Sequence, residues 1–224
     1  MRRTIIKWAI WSLFGILFLV FLIRVAVFEK DYYTQMEGSE RDTTGQEVIA
    51  EQPELIEVEP TEAEVIEYTV PADHPRYLSI DKLGISNARI LSMGINSAGE
   101  LDTPSNIFDT GWYNGSGKPG QGGTLIIDGH NGGPHVYGVF KRLPDLESGD
   151  IITVERGDGL VYKYSIVENK EIPLSDSNSY MSVAAKSPEK GRESVTLITC
   201  SGEWSQQQRT YLSRQFVRAV LVNN

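Results

Sequence analysis

The chain contains a single cysteine, Cys200, and only three histidines among its 224 residues. One thiol cannot form a disulfide within the chain, and exported proteins usually have paired cysteines or none, so this cysteine needs its own explanation. The histidines, His74, His130 and His135, are scattered and lack the spacing of metal ligands. We therefore expect no metal site, and we place His74 on the surface and His135 in a loop.

Basic residues are also few, since 21 Lys and Arg against 30 Asp and Glu give a formal net charge of -9. The excess lies in residues 37–67, which hold eleven carboxylates and one basic residue, Arg41. Residues 71–224 are nearly balanced, with 15 Lys or Arg and 17 Asp or Glu. No basic face that would attract nucleic acid is therefore expected.

One apolar run, residues 8–28, is interrupted among strongly ionised residues only by Arg24. About twenty apolar residues cross a bilayer, and the basic residues that precede this run predict a cytoplasmic N-terminus. We assign residues 1–30 to a cytoplasmic tip and a transmembrane helix, so the protein is expected in the cell membrane as a single-pass protein with its remaining domain outside. A cleaved signal peptide is the alternative, but residues 25–27, V-A-V, are a poor cleavage site.

Residues 31–70 are predicted to be an acidic, disordered linker. The acidic stretch within them contains no aromatic side chain, so it cannot bury enough apolar surface to offset the entropy lost on ordering. Repulsion among its carboxylates should extend it into a stalk. A helix over residues 54–67 is the alternative, which Pro53, Pro60 and the repeated Val and Ile weaken.

Residues 71–224 have the size of one domain with a single core. Short β-branched or alternating runs separated by Gly, Pro, Asn and Asp predict a mainly β fold, either a sandwich or a barrel. Helix is predicted only at residues 136–143 and 179–185. The predicted strands cover residues 77–80, 88–91, 124–127, 151–155, 160–167, 195–199 and 215–222.

Cys200 and His130 each follow an apolar run that is predicted to be a strand. Strand ends present side chains to clefts, and a neighbouring imidazolium stabilises the reactive thiolate of a cysteine. The alternative is that Cys200 only fills the core, since free cysteine is among the most buried residue types. Covalent acyl transfer also needs a donor to the developing oxyanion, which a guanidinium can supply. The candidates downstream of the cysteine are Arg209, Arg214 and Arg218.

The run T-L-I-T-C at residues 196–200 resembles the signature of the sortases, cysteine transpeptidases on the outer face of Gram-positive and related bacteria. The resemblance spans most of residues 76–222 and includes G-W-Y at 111–113, K-P-G at 118–120 and the Gly-His pair that ends at His130. The arginine of that family begins the last strand in a pattern like R-x-x-V-x-A, which residues 214–219 match. The resemblance therefore implies a closed, eight-stranded β-barrel with one or two short helices, in which Cys200, His130 and Arg214 are catalytic. Arg209 is the rival for the arginine role, and Arg218 is expected in an outer salt bridge or at a strand end.

That resemblance implies a sequence of chemical steps. The Cys200 thiolate attacks the Thr-Gly carbonyl of an LPXTG-like sorting signal, and His130 protonates the departing amine. An amine acceptor, either a peptidoglycan precursor amine or a pilin lysine, then resolves the thioacyl enzyme, while Arg214 holds the carbonyl and the oxyanion. These implied steps demand no metal or organic cofactor, and the implied partners are surface proteins with a C-terminal sorting signal. We also expect Thr199, beside the cysteine, to contact substrate.

Two features differ from the best-known sortases. The residue before the Gly-His pair is Asp128 where alanine is common, and its carboxylate either points into the sheet or perturbs the histidine. The stretch at residues 111–120 looks more like class E and class F sortases than like sortase A. Residues 172–193, where the family builds a substrate-binding loop, are expected to be mobile.

Two other functions stay open, a thiol peptidase that releases acids and a non-catalytic, membrane-anchored β-module with a buried cysteine.

Overall fold

The computed structural model describes residues 54–96 and 99–222. The predicted membrane segment, residues 1–30, and the linker as far as residue 53 lie outside the described part of the chain. Within the described residues, no helix is both long and apolar enough to span a bilayer.

Eight strands form a closed barrel in the order β1-β2-β3-β4-β7-β8-β6-β5, and β5 pairs with β1 to complete it. All pairs are antiparallel except β2 with β3 and β4 with β7, which are parallel. The predicted mainly β, eight-stranded barrel is confirmed. The strands are β1 Pro75–Ile80, β2 Ile85–Met93, β3 Thr110–Tyr113, β4 Thr124–Gly129, β5 Ile151–Arg156, β6 Val161–Pro173, β7 Ser194–Ser205 and β8 Thr210–Leu221.

Alternate side chains of each strand fill the barrel. Leu125 and Ile127 of β4, Leu197 of β7 and Val217 of β8 point inward, where they pack with Trp112 of β3 in one buried cluster. Burying a side chain of this size contributes about 1.5–3 kcal/mol, so this period-two alternation drives barrel closure. Residues of the opposite phase on β4, β7 and β8 are therefore left on the outer face of the barrel.

The seven predicted strands correspond to seven of the eight observed ones. The prediction missed β3 because its four residues contain glycine and give little alternation. It also ended β7 too early, at residue 199, and began β8 too late, at residue 215. The two strands continue as a hairpin that is joined at Ser205 and Thr210.

The observed helices overlap only in part with the two predicted short helices. An α-helix, here α1, covers Glu62–Glu67, and a second, α2, covers Leu174–Ala184. The second helix overlaps the prediction at 179–185 and corrects the expectation of a mobile segment at 172–193. Residues 136–142 form turns instead of helix, and short 3-10 helices lie at Asp81–Leu83 and Leu143–Asp145.

Residues 54–70 correct the prediction that the whole linker is disordered. Helix α1 begins with a capping box, in which the Thr61 hydroxyl accepts from the Glu64 amide and the Glu64 carboxylate accepts from the Thr61 amide. The Tyr68 hydroxyl donates to the Ile90 carbonyl at 2.6 Å, and Ile56 forms a parallel bridge with Asn106. Charge counting missed this order because Glu64 finds a local donor in Thr61 and the backbone of Ile56 bonds to the connection between β2 and β3.

Candidate active site

Cys200 and Arg214 lie on the outer face of strands β7 and β8, and His130 directly follows β4. Ile126, Ile198 and Phe216 form a second buried apolar cluster on this face, together with Ala184 of α2. Cys200 shares the phase of Ile198 on β7, and Arg214 shares the phase of Phe216 on β8. Because side chains alternate across a strand, the thiol and the guanidinium emerge beside this cluster.

His130 is aligned with Cys200 by the parallel pairing of β4 with β7. The paired residues run from Thr124–Ser194 to Asp128–Ile198 without a register shift. The alignment continues past the last pair, because the Thr199 hydroxyl donates to the Gly129 carbonyl at 2.8 Å. The same register, carried one residue further, predicts that His130 lies beside Cys200.

Cys200 is a free cysteine that is partly exposed at the surface of the barrel. Burial raises the pKa of its thiol, the charge of Arg214 lowers it, and the charge of Asp128 raises it, with a net upward direction. The thiol therefore holds its proton at neutral pH, so forming the nucleophile requires a base.

The imidazole of His130 is held by a backbone carbonyl. Its Nε2 lies 2.8 Å from the carbonyl oxygen of Pro104, in the connection between β2 and β3. Within the described part of the chain, no hydrogen bond joins the imidazole to the sulfur of Cys200. The structure thus shows the imidazole bonded to Pro104, and its position beside the sulfur is the expectation that follows from the strand register.

Arg214 is the cross-strand partner of Cys200. Its Nη1 donates to the carbonyls of Tyr211 and Ser213, each at 3.0 Å, so its guanidinium is fixed along its own strand. The rival candidate, Arg209, is exposed at the tip of the β7–β8 hairpin, where its backbone adopts a φ of 51°. Position therefore favours Arg214 as the charge beside the thiol.

Asp128 is the site residue whose role the sequence left undecided. Its Oδ2 accepts a hydrogen bond of 2.7 Å from the Thr103 hydroxyl, and desolvation by burial raises the pKa of its carboxyl to about 7. Asp102 adds to this rise, while the bond from Thr103 opposes it. Asp128 therefore faces the outer side of the sheet, near enough to Cys200 to raise the pKa of the thiol.

A family model described as the sortase domain matches residues 78–222, which is more than half of the chain. The chain belongs to the sortase family. Its fold is similar to that of "Sortase A from Corynebacterium diphtheriae, lid mutant", at 22% identity over 71% of this chain and 74% of that chain, with a TM-score of 0.50. A search of curated proteins found no match.

Two further solved structures are similar to this sortase at comparable identity. Sortase C-1 from Actinomyces oris is 23% identical over 72% of this chain and 80% of that chain, with a TM-score of 0.49. A Clostridium perfringens sortase D5 transpeptidase is 21% identical over 73% of this chain and 90% of that chain, with a TM-score of 0.48. At these identities the likeness concerns the fold alone.

Helix α2 forms one wall of the site in this sortase. Tyr180 packs edge-on against Phe216 with ring centroids 4.9 Å apart, and Met181 contacts the same outer cluster. Arg218, which is 7% exposed, donates to the carbonyls of Val183 and Lys186 at the C-terminal end of the helix. A cation interacts favourably with the carbonyls at a helix C-terminus, so Arg218 fixes the helix to the barrel.

The same arginine explains the predicted outer salt bridge. Its Nη1 donates to Glu168, whose carboxylate also accepts from the Tyr180 hydroxyl at 3.2 Å. Burial raises the pKa of Glu168, but its bonds to Lys170 and Arg218 outweigh this effect and hold the pKa below its usual value. The sequence missed this network because its members come from β6, β8 and α2.

Other predicted residues have mainly structural contacts. Thr199 is 4% exposed and its hydroxyl is bonded to Gly129, so the structure shows it joining β4 to β7; its contact with substrate stays a prediction. His135 is exposed in a loop, as predicted. His74 is less exposed than expected, because its ring packs edge-on against Trp112 at 4.9 Å.

Proposed function

We propose that this protein is a membrane-anchored sortase that cleaves an LPXTG-like sorting signal and transfers the acyl group to an amine at the cell surface. The observation that carries this proposal is the single β4–β7 register, which sets His130 beside Cys200, with Arg214 across from the thiol on β8. This arrangement combines a nucleophile, a base and a cation on one accessible face.

The first half-reaction forms a thioacyl enzyme. His130 takes the proton from the Cys200 sulfur, and the thiolate attacks the carbonyl carbon of the scissile bond to form a C–S bond. Arg214 stabilises the negative charge on the carbonyl oxygen. The C–N bond then breaks, and His130 returns the proton to the departing amine.

The second half-reaction regenerates the enzyme. The acceptor amine attacks the thioester carbon and loses a proton to His130, and the C–S bond breaks as the new amide forms. The sulfur leaves as a thiolate beside Arg214 and takes the proton back from His130. These steps use only side chains of this chain and the two substrates.

The outer apolar cluster supports a peptide substrate with an apolar end. Ile126, Ile198 and Phe216 lie on the same outer face as the thiol, and α2 adds Tyr180 and Met181 as a wall. Apolar side chains of the sorting signal would bury their surface here, while its threonine carbonyl reaches Cys200. The proposed acceptor is an amine of a peptidoglycan precursor or a pilin lysine. Because the sequence resembles classes E and F more than sortase A, the acceptor is not taken from sortase A.

The location follows from the apolar residues 8–28. We propose that they hold the catalytic domain on the outer side of the cell membrane, with the N-terminus in the cytoplasm. There the domain would meet surface proteins that carry a C-terminal sorting signal.

The test is intact mass spectrometry of the full chain in detergent, incubated with an LPXTG-type peptide library and with or without an added amine. We expect an acyl adduct on the wild-type chain that the amine converts to an amide, and no adduct on Cys200→Ala. Resolution to acid alone, even with amine in excess, would indicate a thiol peptidase. Absence of any adduct together with an unreactive thiol would indicate a β-module with a buried cysteine.

A further inference from the structure

Two consecutive residues of the β2–β3 connection contact Asp128 of β4 and His130, which directly follows that strand. The Thr103 hydroxyl donates to Asp128 at 2.7 Å, and the Pro104 carbonyl lies 2.8 Å from Nε2 of His130. We refer to residues 103–109, which contain both contacts, as the histidine bracket. Through these bonds the histidine bracket contacts both the outward-facing carboxyl of Asp128 on β4 and the imidazole of His130, which follows that strand.

The histidine bracket is fixed on its other sides as well. Ile107 is fully buried, its amide donates to the Ile56 carbonyl at 3.1 Å, and its carbonyl accepts from Val139 at 2.9 Å. Asp109 at its end is buried and forms a two-bond ion pair with Arg89 at 2.7 and 2.8 Å. The position of the Pro104 carbonyl is therefore set by the bracket and not by the imidazole.

The chemistry of the Pro104 contact determines which imidazole nitrogen carries hydrogen. A carbonyl oxygen only accepts, so Nε2 must be the donor in this bond. The neutral ring then has its lone pair on Nδ1, which makes no hydrogen bond in the described part of the chain. When a neighbouring group fixes the hydrogen on one imidazole nitrogen, the other nitrogen is the one that can take up a proton.

Gly111 supplies the space that this arrangement needs. A Cβ at this position would lie 2.4 Å from Oδ1 of Asp128 and 3.0 Å from the Pro104 ring. Since Gly111 is paired with Asp128 across β3 and β4, any side chain would push the carboxyl away from Thr103. The glycine, the aspartate and the bracket therefore form one fitted unit.

We infer that Thr103, Pro104 and Asp128 position His130, such that Asp128 holds the bracket through Thr103 and the Pro104 carbonyl keeps hydrogen on Nε2. Nδ1 is then the nitrogen that exchanges a proton with Cys200 and with the amines. This inference rests on the proposed sortase reaction for its role, but the hydrogen position is a property of the resting protein. Thr103 and Asp128 are positioning residues, because they act through His130.

The first measurement is a ¹⁵N NMR titration of the histidine rings in the full chain in detergent. Labelled histidine gives only three rings to assign, and the variants His74→Gln and His135→Gln identify two of them. At a pH well above the observed midpoints, we expect His130 to show the Nε2–H form. An Nδ1–H form or an equal mixture in the wild-type protein would overturn the inference.

The second measurement asks whether the bracket sets this form. Thr103→Val removes the hydroxyl at nearly constant volume, and we expect a mixed tautomer and a kcat/KM about tenfold lower, as for the loss of one hydrogen bond. Thr103→Ser keeps the donor and should restore both values. Thr110→Val is the matched control, because it removes a neighbouring hydroxyl that donates to the Arg89 carbonyl and not to Asp128.

The outcomes separate this inference from the proposed function. If Thr103→Val keeps the Nε2–H form and the wild-type dependence of kcat/KM on pH, the histidine bracket does not position His130, even when the chain is an active sortase. If the wild-type chain shows Nε2–H and Thr103→Val loses it while no peptide is ever cleaved, the positioning stands and the proposed reaction fails. An equal loss of activity in Thr103→Val and Thr110→Val would also overturn the inference, since it would reflect general destabilisation.

Discussion

Cys200 and Arg214 face each other across the antiparallel pair of β7 and β8. Directly opposed residues in such a pair have Cβ atoms about 5 Å apart, so the charge of the arginine acts on the sulfur at short range. The guanidinium is held in place by two backbone carbonyls of the hairpin, which prevents it from folding away. This pair explains why Arg214 lowers the pKa of the thiol while burial raises it.

We predict that Arg214→Gln lowers kcat/KM for a sorting-signal peptide on the order of 100-fold, the typical loss for one oxyanion donor. The same change should slow alkylation of Cys200 near neutral pH, because the pKa of the thiol rises further. Arg209→Gln is the control, since its side chain is exposed at the hairpin tip. A larger loss in the Arg209 variant would move the catalytic role to that residue.

We predict that Asp128→Asn increases the alkylation rate of Cys200 above pH 7. The pKa of Asp128 is about 7, so its carboxylate is charged there and raises the pKa of the thiol, whereas asparagine does not. Asp102 and Thr103 also face this carboxyl, and Arg214 faces the thiol from β8. Iodoacetamide rates measured against pH test the effect, with Asp102→Asn as control. Parallel profiles for wild type and Asp128→Asn would show that the carboxyl does not act on the sulfur.

The same carboxyl should give the fold a specific dependence on pH. Its pKa is raised from 3.8 to about 7 on folding, so between these values the folded protein binds the proton more tightly than the unfolded chain. Stability from this group therefore falls as pH rises through that window and is constant above it. Urea unfolding at pH 5 and pH 8 should show a smaller loss for Asp128→Asn than for wild type. Equal losses would contradict the raised pKa.

We predict that Arg218→Met destabilises the protein by about 2 kcal/mol, the usual cost of losing a hydrogen bond to a charged group, since Glu168 keeps its bond to Lys170. Arg218 pairs with Glu168 and bonds the last carbonyls of α2. Arg142→Met is the control, because its pair with Asp145 is exposed on both sides. Urea unfolding gives both values, and a loss as small as that of the control would show that Arg218 contributes little to holding α2.

Local patterns identified most of the strands and predicted the candidate site residues, because each depends on a few adjacent residues. The apolar runs before His130 and Cys200 are visible as strands in the sequence, and so are the turns that follow them. The register that aligns these two residues could not be derived, because it depends on pairing between strands that are far apart in the chain. For the same reason, the contacts of Asp128 with Thr103 and Gly111 were not predicted.

The two largest errors have a common cause. Residues 54–70 and residues 172–193 are rich in polar or charged side chains, and composition alone predicts that such segments stay disordered. Each is ordered by contacts with the barrel that composition does not show. Tyr68 bonds to β2 in the first segment, and Tyr180 packs on Phe216 in the second.

The parallel pairing of β4 with β7 has a consequence for how this scaffold tolerates change. Side chains alternate between the two faces, so inserting or deleting one residue within either strand would turn His130 or Cys200 from the outer face toward the barrel interior. The connection between β6 and β7, which contains α2, is not under that constraint, because the chain re-enters the register with β4 only at Ser194. Segments of new length or sequence are therefore best grafted into the connection around α2. There they would alter the wall of the site while the thiol and the imidazole keep their alignment.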